Sequence, residues 1–180
     1  EAYKLPDINW YRIILNHEYI FKNLESIIKA VINNQSYNIE FKSTLMDPEM
    51  LKNTIFERVV RGGERFNLRY GLNDIITFTI INPWSNNLHN ISKALENYRS
   101  HLHRDDLRLR AKKIIDGNII ILNGITEFGT IYEIKLIPTL LYQWGEWYKK
   151  AGFRNQQNAE NLYQKYVKLQ YTIDNNPIVK

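Results

Sequence analysis

The amino-acid sequence predicts an α+β domain in which a small antiparallel β-meander packs against helices. Three observations lead to this fold class. Apolar residues recur every three to four positions in the first part of the chain, which is typical of a long helix. After position 106 apolar residues alternate with basic ones, and an Asp-Gly pair then separates two isoleucine-rich runs, which indicates a β-hairpin. A long N-terminal helix and a C-terminal helical extension complete the prediction.

The N-terminal part of the chain, residues 1–46, is predicted as a helix followed by an extended segment. The helix covers residues 7–33, with Asp7 as its N-cap, and its broad apolar stripe predicts a buried face. His17 is the polar residue of that stripe, and we expect a half-buried imidazole that fixes packing register. Residues 36–45 alternate apolar and polar side chains, which predicts an extended conformation.

The central part, residues 47–137, is predicted as the α+β core. Asp47 and Pro48 begin a helix, which the glycine pair at Gly62 ends, and a second short helix covers residues 86–98. We expect both helices to pack against the meander.

The strands of the meander follow in the second half of this core. They are predicted at 107–112, 119–122 and 131–137. Asp116-Gly117 is the turn between the first two strands. The apolar run 75–81 is compatible with a strand or with a buried turn of helix, and periodicity leaves both alternatives open.

The C-terminal part, residues 138–180, is predicted as a helical extension. Pro138 leads into it, and Gly152 separates two apolar stripes. The stripes are rich in aromatic side chains, which suit protein interfaces as well as cores. We therefore expect the extension to bundle or to contact neighbouring proteins.

Composition restricts the classes of function. The 180 residues include no cysteine, which excludes disulfides and Cys-ligated metals and fits an intracellular compartment. No cofactor or metal is predicted, since the histidines and carboxylates show no convincing ligand spacing. The net charge of +5 is compatible with nucleic acid, although we do not expect it as a partner. No apolar run approaches the ~20 residues that span a bilayer, so no membrane role is predicted.

The order of several short motifs in the central part resembles one protein family. The motifs lie at 51–55, 61–66, 70–74, 94–98 and 106–109. A helix, a Gly-Glu-Arg loop, an aromatic-Gly pair, a second helix and a β-meander follow in this order. The arrangement is similar to the lysozyme-like baseplate-wedge, or sheath-initiator, family of contractile phage tails, which includes the type VI secretion counterpart. Arg99-Ser100-His101 departs from it, because the family has Glu-Pro-Arg there.

The resemblance implies a non-enzymatic structural subunit that nucleates or anchors the sheath around the tail tube. Other wedge subunits and the sheath protein are its implied partners, without a small-molecule substrate. Its implied location is the virion tail baseplate, assembled in the host cytoplasm. The side chains predicted to contact partners are Glu64, Arg65, Tyr70, Tyr98, Arg99, His101, Trp144 and Trp147. Glu64 and Arg65 offer charge-assisted hydrogen bonds, although a solvated turn explains them about as well.

A second pattern points to an alternative function, a Mg²⁺-dependent nuclease of the PD-(D/E)xK type. Asp116 and Glu133 would hold the metal, and Lys135 would orient the attacking water. The basic cluster within 99–113 would suit a phosphate backbone. The predicted register opposes this alternative: Glu133 faces Ile120, so Asp116 is displaced by about four residues, or ~13 Å. The structural subunit is therefore the favoured prediction.

Overall fold

The computed structural model describes residues 10–62, 75–98, 107–126, 131–151 and 156–176. Its elements in chain order are α1 (Trp10–Asn33), β1 (Glu40–Leu45), α2 (Pro48–Gly62), β2 (Ile76–Asn82), α3 (Ser85–Glu96), β3 (Leu109–Ile115), β4 (Ile119–Ile125), β5 (Ile131–Pro138), α4 (Thr139–Ala151) and α5 (Gln156–Asp174). A 3₁₀ turn, Asp116–Asn118, joins β3 to β4. The predicted α+β class is confirmed.

The five strands form one mixed sheet in the order β1-β2-β5-β4-β3. Strands β3, β4 and β5 pair antiparallel, as the predicted meander requires. The undecided run 75–81 supplies β2, which lies parallel to β5. The segment predicted to be extended, 36–45, supplies β1, an edge strand antiparallel to β2.

One face of the sheet carries the main hydrophobic core. The buried residues of β2 and β5 in this core are Ile76, Phe78, Ile80, Tyr132, Ile134 and Leu136. They alternate along their strands because successive side chains point to opposite faces. The ring centroid of Phe78 lies 5.7 Å from that of Phe21 in α1 and 6.1 Å from that of Phe41 in β1. Burial of each such side chain contributes ~1.5–3 kcal/mol, so this face anchors the sheet to its helices.

From His17 onward, helix α1 buries most of the apolar stripe that its sequence predicts, and His17 lies within that stripe. His17 is fully rather than half-buried, and its Nε2 donates a hydrogen bond to the backbone oxygen of Met46 at 3.1 Å. The other ring nitrogen, Nδ1, is buried without a hydrogen-bond partner. Burial lowers the pKa of His17, and the hydrogen bond to Met46 opposes this effect only in part. His17 therefore packs as a neutral imidazole between α1 and the start of α2.

Helix α2 begins and ends where the sequence predicts. The Asp47 side chain accepts hydrogen bonds from the backbone N–H groups of Glu49 and Met50, both at 2.9 Å. Asp47 thus satisfies two of the N–H groups that lack a partner at a helix start. Leu51, one turn later, is fully buried in the main core, and the helix ends at Gly62.

Helices α4 and α5 pack against the opposite face, at one end of the sheet. Their apolar cluster is centred on Ile81, Ile119, Ile137 and Leu141. Asp174 of α5 accepts hydrogen bonds from the backbone N–H of Ser85 at 2.9 Å and from its hydroxyl at 2.7 Å. These two bonds fasten the end of α5 to the start of α3.

The division into segments 1–46, 47–137 and 138–180 stays a prediction. Strand β1, from the first segment, and β2, from the second, nevertheless share one sheet. Within the described ranges, no helix combines the length and the apolar character that crossing a membrane requires.

Candidate functional site

The second face of the sheet is only partly covered, and a cleft of about 510 Å³ lies there. Two polar rows cross β2 and β5 at this point, Thr79 opposite Lys135 and Thr77 opposite Glu133. All four residues line the cleft, and Thr44 of β1 extends the lining. Because the intervening residues of the same strands fill the main core, strand alternation forces these polar side chains onto the cleft face.

Helix α4 forms one wall of the cleft. Tyr142, Glu146 and Lys149 line it at spacings of four and three residues, which places them along one side of the helix. Lys149 Nζ lies 3.4 Å from Glu146 Oε1, in an ion pair that is largely exposed and therefore weak. Leu141, which is buried in the apolar cluster beneath α4, holds this wall against the sheet.

Lys42 of β1 lies beside the cleft and reaches the same helix. Its Nζ donates a hydrogen bond to the Tyr142 hydroxyl at 2.7 Å and lies 3.5 Å from Glu40 Oε1. The hydrogen bond with Tyr142 is the main cause that raises the pKa of Lys42. Lys42 is thus a cation at neutral pH, and it links the β1 edge to α4.

An aromatic group joins α4 to α5 next to the cleft. The Trp144 ring is stacked on Tyr148, with centroids 5.1 Å apart, and tilted against Tyr163 at 4.7 Å. Trp144 Nε1 also donates a hydrogen bond to the backbone oxygen of Ala159 at 3.2 Å. Burial, and to a smaller extent the charge of Asp116, raises the pKa of Tyr163. These contacts fix the position of α5 relative to the cleft wall.

The cleft combines lysine ammonium groups with carboxylates. Lys135 and Lys149 can bind phosphate oxygens, and Glu133 can accept a proton or contribute to holding a hard cation. Among the residues that the structure describes, no three His, Cys, Asp or Glu side chains are grouped to hold a metal.

The alternative nuclease site is not assembled. Glu133 and Lys135 both reach the cleft, but Glu133 pairs with Asn123, three residues further along β4 than predicted. Asp116 lies in the 3₁₀ turn beyond Ile119, which is itself four residues, or ~13 Å, from Asn123. Two carboxylates so far apart cannot share one ion, whose ligands lie within ~2–2.6 Å of it. The nuclease prediction is wrong, although two of its three residues line the cleft.

Of the eight residues predicted to contact partner proteins, the structure describes three. Those outside the described residues are Glu64, Arg65, Tyr70, Arg99 and His101. Tyr98 is half-buried against the main core, Trp144 belongs to the aromatic group between α4 and α5, and Trp147 is 46% exposed. Whether any of them contacts a partner stays a prediction.

Sequence reasoning missed four residues at or beside the cleft: Lys42, Tyr142, Glu146 and Lys149. Lys42 follows Phe41 in a segment predicted to be extended, so its position on the face opposite the core was foreseeable. Its contact with Tyr142, 100 residues further along the chain, was not. The spacing of Tyr142, Glu146 and Lys149 predicts a polar side of a helix, but the local sequence does not predict which part of the fold that side faces.

Comparison with known proteins identifies solved structures with a similar fold. No family model matches the sequence, and no curated protein matches it. The structure is similar to small alarmone synthetase 1 from Bacillus subtilis bound to its product pppGpp, with a TM-score of 0.62 and 12% identity, over 92% of this chain and 93% of that one. For the same protein bound to AMPCPP, the TM-score is 0.59 and the identity 14%, over 92% of each chain. For a GTP pyrophosphokinase family protein from Streptococcus pneumoniae, the TM-score is 0.60 and the identity 12%, over 93% of this chain and 90% of that one.

These similarities correct the functional prediction. The resemblance to the baseplate-wedge family is wrong, because over nine-tenths of the chain the fold is similar to that of small alarmone synthetase 1 and of a GTP pyrophosphokinase family protein. The predictions that depend on it are wrong as well: a non-enzymatic sheath anchor, wedge and sheath partners without a small-molecule substrate, and a place in the virion tail. The physical reason is that the motifs are short and rely on residues such as glycine, asparagine and aspartate, which are typical of helix ends and turns in many proteins. Such features specify local geometry, which unrelated folds share.

Proposed function

We propose that this protein is an enzyme that binds nucleotides in the cleft and transfers a pyrophosphoryl group from one nucleotide to another. The observation that carries the proposal is the cleft, which has Glu133 and Lys135 on the sheet and Lys149 on the α4 wall. The support for nucleotides as ligands is the similarity of the fold to a protein with pppGpp and with AMPCPP bound. The similarity to a GTP pyrophosphokinase family protein supports the type of transfer.

The chemistry of those two nucleotides suggests the reaction. The compound pppGpp carries a diphosphate in addition to the triphosphate of GTP, and AMPCPP has a methylene group in place of the oxygen between its α- and β-phosphorus atoms. In the proposed step, a hydroxyl oxygen of a guanosine nucleotide attacks the β-phosphorus of a nucleoside triphosphate. The bond from that phosphorus to the α–β bridging oxygen breaks, and the nucleoside monophosphate leaves with the electron pair. The hydroxyl proton passes to a base.

Glu133 is the base in this proposal. It pairs with Thr77 on one side and with Asn123 on the other, so strand pairing fixes its backbone on both sides. A carboxylate within hydrogen-bond reach of a hydroxyl typically contributes 10²–10⁴-fold to the rate as a general base. Lys135, two residues along on the same face, would neutralise the phosphate oxygens as their charge develops. Magnesium would enter with the triphosphate, because this ion is held largely by substrate phosphates and water.

The experiment is a transfer assay with the purified chain, radiolabelled ATP, Mg²⁺ and either GDP or GTP. We expect a labelled guanosine nucleotide with two additional phosphates and an equal amount of AMP. Glu133→Gln should lower kcat by at least ~100-fold and leave the Kd for AMPCPP unchanged. Lys135→Ala should weaken AMPCPP binding by ~10-fold or more, because it removes a charge-assisted hydrogen bond. Lys168→Ala, at an exposed position of α5, is the matched control and should change neither quantity.

A second function, nucleotide binding without transfer, is favoured by the charge of the cleft. Among the described residues that line it, Lys135 and Lys149 are balanced by Glu133 and Glu146, and none is an arginine. Transfer of a phosphoryl-type group relies on cations that offset the developing charge. AMPCPP binding that Lys135→Ala weakens, without product from any pair of nucleotides, would select this second function. A chain that binds no AMPCPP at all would contradict both functions.

A further inference from the structure

Strand β3 (Leu109–Ile115) forms one edge of the sheet, and no described strand lies on its outer side. Its residues 110–114 are all exposed. One side of β3 pairs with β4, so alternate N–H and C=O groups on the other side point outward. Pairing with β4 is regular from Ala111 to Ile115, and the register shift before Ala111 leaves Arg110 as the extra residue of a bulge. The regular part is long enough to pair with another short strand.

This edge is strongly basic. Arg108, Arg110, Lys112 and Lys113 lie within six residues, in a sequence whose net charge is +5. Lys112 forms an ion pair with Glu96 at 3.1 Å. Within the described ranges, Arg110 and Lys113 form no ion pair, so their charges are available to a partner.

We propose that the β3 edge binds an acidic, extended segment of a partner protein, which pairs with β3 as an additional strand. Cations along an edge disfavour pairing with neutral or basic strands, and the same cations favour a strand that carries carboxylates. Ile114 is 52% exposed at the far end of the basic run, so an apolar side chain among the acidic ones would complete the complementarity. The basic residues of β3 do not line the nucleotide cleft, although Ile115 at the end of the strand does. The proposal does not depend on the function proposed for the cleft.

Two other occupants fit the edge less well. A second copy of this chain would place like charges opposite each other if two β3 strands paired antiparallel. The outer strand at the other edge, β1, offers Glu40 and Lys42, whose charges cancel. Single-stranded nucleic acid usually binds through aromatic side chains on which bases stack, and β3 contains none. An edge without a neighbouring strand and cations without an ion pair, both among the described residues, therefore favour an acidic peptide.

The experiment measures fluorescence anisotropy of a labelled peptide of about ten alternating Glu and Val residues, with the Lys/Val peptide for comparison. We expect the acidic peptide to bind, more tightly at low than at high salt, and the basic peptide not to bind. Hydrogen exchange should slow at the β3 amides when the acidic peptide is present. The variant Arg110→Glu/Lys113→Glu should weaken binding at least ~10-fold. The control Lys165→Glu/Lys168→Glu changes the net charge equally on α5 and should leave the affinity unchanged.

Four results would overturn the proposal. They are the absence of acidic-peptide binding, equal losses in both charge-reversal variants, binding without added protection at β3, and tighter binding of a single-stranded oligonucleotide than of the acidic peptide. Protection of the β3 amides that rises with protein concentration alone would assign the edge to a second copy instead. An unchanged urea midpoint and circular dichroism spectrum of Arg110→Glu/Lys113→Glu would confirm that this variant is folded.

Discussion

Gly124→Ala tests the closest packing contact of the sheet. Gly124 of β4 pairs with Tyr132 of β5, and a Cβ on Gly124 would overlap the Cζ, Cε1 and Oη atoms of the Tyr132 ring. The ring has nowhere to move, because Tyr132 is fully buried, its ring meets Phe78 edge-on at 6.5 Å, and its hydroxyl donates a hydrogen bond to the backbone oxygen of Leu107. Only glycine therefore allows this approach.

The expected cost follows from these contacts. Overpacking a rigid site costs ~1–3 kcal/mol. If the ring turns away instead, the hydrogen bond to Leu107 is lost and a buried carbonyl is left without a donor, which costs ~1–3 kcal/mol. Alanine is intrinsically better than glycine in a strand by ~0.5–1 kcal/mol. Because this gain offsets part of the cost, we expect Gly124→Ala to lower the free energy of unfolding by up to ~2.5 kcal/mol.

Urea denaturation followed by circular dichroism measures this change, with linear extrapolation to water. The matched control is Gly145→Ala in α4, where a Cβ meets no atom within 4 Å and the substitution should stabilise the chain by up to ~1 kcal/mol. In a Tyr132→Leu background, Gly124→Ala should lose most of its cost, because the ring is gone. An equal cost with and without the Tyr132 ring would refute the reasoning.

The remaining predictions concern titratable groups. Burial lowers the pKa of His17 in the folded chain below its ordinary value of 6.5. As the pH falls through that value, the unfolded chain therefore takes up the proton before the folded chain does. The contribution of the neutral imidazole to the free energy of unfolding is thus complete above that pH and declines below it. Urea midpoints should therefore decrease between about pH 7 and about pH 5, and less so in His17→Gln; equal slopes would assign the change to other groups. Tyr142→Phe removes the acceptor that raises the pKa of Lys42, so NMR titration of labelled lysines should give a lower pKa for Lys42 alone, and an unchanged pKa would contradict the contact.

The sequence predicts what local interactions determine. The Asp47 cap and the Gly62 end define α2, and the apolar stripe defines α1, because capping and periodicity act within one or two turns. The pairing of β2 with β5 joins residues 56 positions apart, as in Ile76 and Tyr132, and no neighbouring residue signals it. The hairpin between β4 and β5 turns later than predicted, which moves Glu133 from Ile120 to Asn123.

The same distinction explains why the cleft was only partly foreseen. Glu133 and Lys135 stand out because they interrupt an apolar strand, and they enter the alternative nuclease site, which the register does not assemble. Lys42 and Tyr142 meet only after β1 has joined the sheet and α4 has folded back over it. A site built from distant segments carries its information in the topology, which periodicity does not encode.

Asp174 provides the connection between the far end of α5 and this cleft. Its carboxylate accepts both the N–H and the hydroxyl of Ser85 at the start of α3, where unpaired N–H groups and the helix dipole favour a negative charge. Helix α5, which ends at Asp174, also carries Tyr163, which lines the cleft and packs on Trp144. Asp174 should therefore affect ligand binding without touching the ligand.

Asp174→Ala leaves the Ser85 donors without their acceptor, and we expect the free energy of unfolding to fall by ~1–3 kcal/mol. Asp174→Asn keeps one acceptor oxygen, so its free energy of unfolding should lie between those of the wild type and Asp174→Ala. If α5 loosens, AMPCPP should bind more weakly in the same order, and the fluorescence of Trp144 should change with it. Glu160→Ala, at an exposed position of α5, is the control. A stable Asp174→Ala chain with wild-type AMPCPP affinity would mean that the Trp144–Tyr163 contact holds α5 in place by itself.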